Sequence, residues 1–165
     1  MFQSLYLHVR GRFYIGYAAT NTIGGTVVNA PAAYVTLNSW YFVAIDYNGA
    51  LSSGNLQSYL NNQYLGSANL IGSIPLGSSQ AFAISYGGGS ENFEIANLQI
   101  YNTSLSANEI QALYLEGIGG APIDLQHLVA WYPLNGNGND YSGNNNGQIN
   151  NANFVSNWWS GYTPP

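Results

Sequence analysis

The chain has 165 residues, enough for one domain with a substantial core and too few for two ordinary ones. Only 5% of residues are charged, and two arginines against seven acids leave a net charge of −5. Two fixed cations build neither a phosphate-tracking groove nor a basic membrane patch, so nucleic acid and anionic membrane surfaces are excluded as partners.

The hydrophobic fraction is 46% and the aromatic fraction 15%, so a core can form; polarity comes from Asn, Ser, Gly and Tyr. Such an uncharged, hydrogen-bonding surface suits an extracellular, fibre or virion setting. Cysteine is absent, which removes disulfides and thiolate metal sites. No stretch reaches the roughly 20 apolar residues of a membrane helix, so membrane insertion is not expected. Met1 to Ser4 lack the basic start and apolar run of a signal peptide.

Alternation with turn residues at short intervals dominates the chain and predicts strands. Leu5, Leu7 and Val9 alternate with Tyr6, His8 and Arg10, and residues 13–17 continue beyond Gly11, which reads as two strands folded back on each other. Residues 27–28 and 34–37 are short strand candidates. Residues 40–47 form the strongest strand, ended by an Asn48-Gly49 turn. Residues 56–60 and 63–65 flank Asn61-Asn62, a hairpin. Residues 81–86 are a further strand, and in 93–101 Ile95, Asn97, Gln99 and Tyr101 share a face.

Ser106 and Glu109 have capping-box spacing, Ile110, Leu113 and Tyr114 form an apolar stripe, and Gly117 suits the C-terminal stop: one short helix over 106–116. Residues 117–127 read as a linker, 128–134 as a last strand, and 135–153 as an Asn/Gly-rich loop in which Asp140 alone is charged. The organisation is a main body (1–116), the linker, and a C-terminal segment (128–165).

Three stretches resemble the laminin-G-like, concanavalin A-like jelly-roll family. Residues 40–49 with 60–67 look like its central hairpin, 93–102 with 105–114 like its closing strand and terminal helix, and 128–144 like its opening strand and first loop. The resemblance implies an all-β antiparallel jelly-roll sandwich with one short helix. The opening segment follows the closing one, so three arrangements are open: a boundary in a tandem array, a permuted sandwich completed in cis, or a strand given to a neighbouring copy. Leaving Trp131, Leu134, Phe154, Trp158 and Trp159 in water would forgo roughly 1.5–3 kcal/mol per large side chain, which favours the last two.

A glycosidase needs two carboxylates roughly 5–9.5 Å apart. Glu91 and Glu94 have an odd spacing that sends them to opposite faces of a strand, and Asp46 and Glu116 read as structural. His8 and His127 have no acid or serine in a triad-like arrangement, so no catalytic residue is assigned. Related jelly rolls bind calcium through the first loop plus acids of the closing strand. Asn137, Asn139, Asp140, Ser142 and Asn144 are therefore candidate oxygen ligands, with an Asx-turn loop as the alternative; Ala96 and Asn97 stand where the closing-strand acids would be. Tyr141, Trp158, Trp159 and Tyr162 are candidate sugar-stacking aromatics. Asn102-Thr103-Ser104 is an N-glycosylation sequon. The resulting expectation is a non-catalytic, glycan-recognising surface module requiring no cofactor, calcium being possible; a self-assembling filament subunit joined by strand exchange is the alternative.

Overall fold

A computed structural model describes residues 2–9, 14–15, 18–20, 27–29, 33–34, 36, 38–70, 93–143, 145–156 and 165. Side-chain environments are described from residue 36 onward. The strand expected at 81–86 and the aromatics Trp158, Trp159 and Tyr162 lie outside the described residues.

Among the described residues, ten strands and one helix run in the order β1 (Phe2–Val9), β2 (Tyr14–Ile15), β3 (Ala18–Thr20), β4 (Val27–Asn29), β5 (Ala33–Tyr34), β6 (Ser39–Tyr47), β7 (Leu56–Leu60), β8 (Gln63–Ala68), β9 (Phe93–Tyr101), α1 (Ala107–Glu116) and β10 (Leu128–Tyr132). Six strands make one antiparallel sheet in the order β10-β9-β1-β6-β7-β8, while β2 with β5 and β3 with β4 form two-stranded sheets.

The expected hairpin between β1 and β2 does not form. β1 pairs along its whole length with β6 (Phe2 opposite Asp46, Val9 opposite Ser39) and on its other side with β9. Alternation specifies a face and carries no information on the partner. The eight-residue ladder with β6 exceeds anything that the two residues of β2 could offer. The β7–β8 hairpin forms as read. Asn61 and Asn62 both have positive φ (46° and 63°), the type I′ geometry that Asn tolerates.

The helix forms where the capping box places it. Ser106 Oγ accepts from the Glu109 backbone N–H, and the Ser106 N–H donates to Glu109 Oε2 at 2.7 Å. Ser106 holds the Glu109 carboxyl below its ordinary pKa. Gly117 closes the helix with φ 76°. Ile110 and Leu113 pack against Trp40, Phe42, Ala44, Tyr59 and Tyr101, so the helix covers one face of the sheet. On the opposite face, Val43 gathers Tyr41, Ile45, Leu60, Phe93 and Ile95.

Two expectations about this core change. Residues 117–127 are not a loose connection: Ile118 belongs to the helix-side core, and Gly117, Gly120 and Pro122 are buried. The spacing of Gly and Pro marks a turn but does not reveal that the turn is packed. Ile95 and Tyr101 were expected on one face, yet they sit in clusters on opposite faces. The cause is a bulge. Between the pairs Ser4–Gln99 and Tyr6–Ala96, β9 spends two residues against one of β1, and Asn97 takes φ 51°. A two-for-one step reverses the inside/outside parity of everything beyond it.

Candidate functional site

The bulge turns the amide of Asn97 into a junction. Asn97 is buried; its Nδ2 donates to the Gly120 carbonyl at 2.9 Å, and its Oδ1 accepts from Trp131 Nε1 at 2.8 Å and from Gln99 Nε2 at 3.2 Å. Its backbone N–H leaves the β1 ladder and donates to Pro133 O at 3.2 Å. Gln99 Oε1 in turn accepts from the Tyr101 hydroxyl at 2.7 Å. Burial pushes the Tyr101 phenol up to about 12, against a hydrogen bond from the Ile123 backbone that lowers it. Gly120 admits no side chain here: a Cβ would collide with Glu116, whose backbone carbon and oxygen would stand at 2.9 Å. One buried amide thus connects the closing strand, the turn after the helix, and β10.

β10 pairs with β9 of the same chain, Trp131 opposite Gln99. As the outer strand of the sheet it would present bare backbone groups. The Asn/Gly loop covers several of them. The Trp131 N–H donates to Asp140 Oδ1 at 2.9 Å, the Trp131 carbonyl accepts from the Tyr141 N–H at 2.8 Å, and the Val129 carbonyl accepts from Asn145 Nδ2 at 3.3 Å.

Asp140 organises that loop. Its Oδ1 also accepts from the Ser142 N–H (2.9 Å) and Oγ (2.8 Å), and its Oδ2 from the N–H and Nδ2 of Asn145, both at 3.2 Å. Burial acts to raise its pKa, but these donors outweigh it and hold the carboxyl at about 2. A carboxylate offers about four lone-pair positions, and five bonds with the Trp131 donor already use them. Asn137 Oδ1 likewise accepts from the Asn139 N–H at 2.9 Å, an Asx turn. The loop aims N–H and O–H donors at its single carboxylate. Asn137, Asn139, Asp140 and Ser142 in this arrangement do not fit a calcium ion; Asn144 lies outside the described residues.

Of the expected sugar-stacking aromatics, Tyr141 is described. It is 54% exposed and stands edge-on to Trp131, with ring centroids 5.9 Å apart and planes at 63°. Its hydroxyl is 3.5 Å from Asn137 Nδ2. Trp131, read from sequence as core, is only partly buried, and its indole N–H reaches the buried Asn97.

A second concavity escaped sequence reading. An open cleft of about 770 Å³ lies where β6 and β9 end and β7 begins, lined by Asp46, Tyr47, Gln57, Tyr59, Asn102 and Ser104 among others. Asp46 is 3% exposed; its Oδ2 accepts from Ser104 Oγ at 2.6 Å and its Oδ1 from the Leu105 N–H at 3.3 Å. Burial raises its pKa, and the Ser104 bond offsets part of that rise. The sequon residue Asn102 is exposed at the rim, its N–H donating to His127 O at 2.9 Å. No second carboxylate is among the described residues lining the cleft. Glu91 lies outside the described residues, as does the side chain of His8. His127 Nδ1 lies 2.7 Å from Asp124 Oδ2 in an exposed i,i+3 pair, which is not a triad-like arrangement. No signal links residues 46, 57 and 102 in the sequence; only the sheet brings them together.

Residues 3–111 match the family model described as the concanavalin A-like lectin/glucanases superfamily. The chain belongs to that superfamily. The all-β antiparallel sandwich with one short helix, expected from the resemblance, is its fold. The match to the concanavalin A-like family ends within α1, so β10 and the Asn/Gly loop lie beyond it. A solved structure from Bacteroides ovatus ATCC 8483, provisionally described as a carbohydrate binding protein, is similar with a TM-score of 0.53 and 19% identity. The similarity covers 81% of this chain and 45% of that one, so this chain spans under half the length of that protein. No curated protein matches the chain. Among the described residues, no helix is long and apolar enough to cross a membrane.

Proposed function

We propose that the chain is a non-catalytic glycan-recognising module of an extracellular or surface-exposed protein, serving adhesion. The observation that carries this reading is the exposed Tyr141 ring, braced edge-on by Trp131 with the Asn137 amide 3.5 Å from its hydroxyl. A pyranose stacks its C–H face on such a ring and satisfies its hydroxyls with neutral donors and acceptors. The superfamily and the carbohydrate-binding description of the Bacteroides ovatus protein support the same reading.

Two further points favour binding over hydrolysis or polymerisation. Asp140 is saturated with donors, and among the described residues lining its cleft Asp46 faces no second carboxylate of the kind a glycosidase pair requires. Strand exchange at β10 needs an open edge there, and the Asn/Gly loop already occupies backbone groups of that strand. A glycan array probed with the whole chain tests the proposal. Dose-dependent signal on a related set of uncharged glycans is expected; silence across the array at high protein concentration overturns it.

A further inference from the structure

We infer that the cleft floored by Asp46 is a separate carbohydrate subsite, one that takes an uncharged sugar by accepting its hydroxyl protons on the Asp46 carboxylate. The inference rests on the glycan-recognition reading and adds a second place of contact. Asp46 itself, on β6, lies three strands from β10, with β1 and β9 between them.

Size and shape come first. About 770 Å³ lies within the roughly 300–1,000 Å³ of small-molecule sites. The chemistry of the lining then narrows the ligand. Asp46 receives two hydrogen bonds from described residues, one of them long at 3.3 Å, while a carboxylate can accept about four. Among the described residues its acceptor capacity is thus half used, in contrast to the crowded carboxylate of Asp140. Because Asp46 is almost fully buried, only a donor that enters the cleft reaches it. A hydrogen bond to a charged, poorly hydrated acceptor is among the stronger neutral-to-ion contacts. Burial has already shifted this carboxyl towards its protonated form, so a hydroxyl donor that supports the ionised form relieves that cost.

The rim supplies the complementary groups. Asn102 is exposed, and among the described residues its side-chain amide makes no hydrogen bond; Asn48 and Gln57 add further amides to the lining. The half-buried Tyr47 and the Tyr59 ring give the cleft its aromatic surface. No Arg, Lys or His is among the described lining residues. An acidic sugar would set its carboxylate or sulfate against Asp46, and the N-terminal ammonium that acts to lower the Asp46 pKa offsets only part of that repulsion, because burial still leaves that pKa raised. Asn48 and Gln57 already bond within the chain, to the Ala50 N–H and to Tyr59 and Gly54, so the exposed Asn102 amide is the one open to a ligand. A single ammonium would satisfy Asp46 and leave that amide unused, whereas an uncharged polyol offers a hydroxyl to each.

The test is a titration of the ¹⁵N-labelled whole chain with maltose, cellobiose and lactose, with glucuronate and glucosamine as charged comparators. At least one of the neutral disaccharides should move the backbone amides of residues 46–49 and 102–107 saturably, and neither comparator should. Asp46→Asn disturbs a buried partner of Ser104 and risks the fold, so the exposed Asn102→Ala carries the mutational arm and should weaken binding at least fivefold. Saturable shifts confined to residues 137–146 would overturn the subsite while leaving the glycan-recognition reading intact. Shifts at the cleft with a charged comparator alone would overturn the neutral-sugar class. Saturable shifts nowhere, together with a silent array, would overturn both.

Discussion

The indole Nε1 of Trp131 donates to the side-chain oxygen of Asn97 across 2.8 Å, and this bond ties a strand beyond the family match to the bulge of the closing strand. An amide suits the position because it must accept from Trp131 and Gln99 while donating to the Gly120 carbonyl. The positive φ is tolerable for Asn and costly for most other residues.

Three substitutions separate these contributions. Asn97→Ala should cost about 3 kcal/mol, combining lost buried hydrogen bonds with a strained backbone. Asn97→Gly should recover about 1 kcal/mol of that, since it relieves the φ and still lacks the amide. Asn97→Asp keeps the acceptor but sets an oxygen against the Gly120 carbonyl, and should cost at least about 2 kcal/mol. Urea denaturation of the three variants measures all of this. Equal stability of the Ala and Gly forms would remove strain from the explanation.

Self-association should appear when the loop releases β10. In the double variant Asp140→Ala/Asn145→Ala, the Trp131 N–H and the Val129 carbonyl lose their loop partners. An outer strand with free backbone groups pairs with other chains. Light scattering after size-exclusion chromatography should show concentration-dependent dimers or larger species for the variant and a smaller species for the parent at the same concentration.

Acid sensitivity should reside in the same residue. The folded-state pKa of Asp140 is about 2, below its ordinary 3.8. Between these values the unfolded chain binds more protons, so stability rises with pH across that window. The contribution is complete above about pH 5 and is lost as the pH falls towards 2. It is on the order of 1 kcal/mol once solvent screening of a surface loop is allowed for. Asp46 has the opposite sign: its raised folded-state pKa makes burial costly as pH climbs and the carboxyl ionises. Stability curves of parent and Asp140→Asn should therefore run parallel above about pH 5 and differ in slope between about pH 4 and pH 2, the variant being flatter.

Much of this architecture is legible in the residues, and the exceptions have physical causes. The Ser106–Glu109 box and the Asn61-Asn62 turn are local devices whose geometry follows from a few side chains, and both form as read. The partner of β1 is not local, because alternating Leu5, Leu7 and Val9 would suit any strand with a buried face. A one-residue bulge at Asn97 has no signature in hydrophobic periodicity, yet it moves Ile95 and Tyr101 to different clusters. The loop around Asp140 was legible as an Asx-rich turn or an ion site. What distinguishes them is the direction of donors from Trp131, Ser142 and Asn145, which composition does not encode. The Asp46 cleft draws on three separated stretches and leaves no trace in any one of them.

Calcium should leave the module unaffected. Asp140 already receives five hydrogen bonds, so an ion would have to displace them to bind. Melting curves in millimolar calcium and in a chelator should superimpose. A calcium-dependent rise in melting temperature would show that the loop reorganises around an ion and that its closed hydrogen-bond set is not its working state.

Recognition at Tyr141 is most directly measured by the affinity of the strongest array glycan for the parent chain and for Tyr141→Ala. Because the ring is 54% exposed, its removal should change stability by less than about 0.5 kcal/mol. Loss of a stacking face should cost about 1 kcal/mol of binding, roughly a fivefold weaker affinity. A variant that melts with the parent and binds the glycan roughly fivefold more weakly is the expected result. Undiminished affinity in a normally folded Tyr141→Ala chain would contradict it.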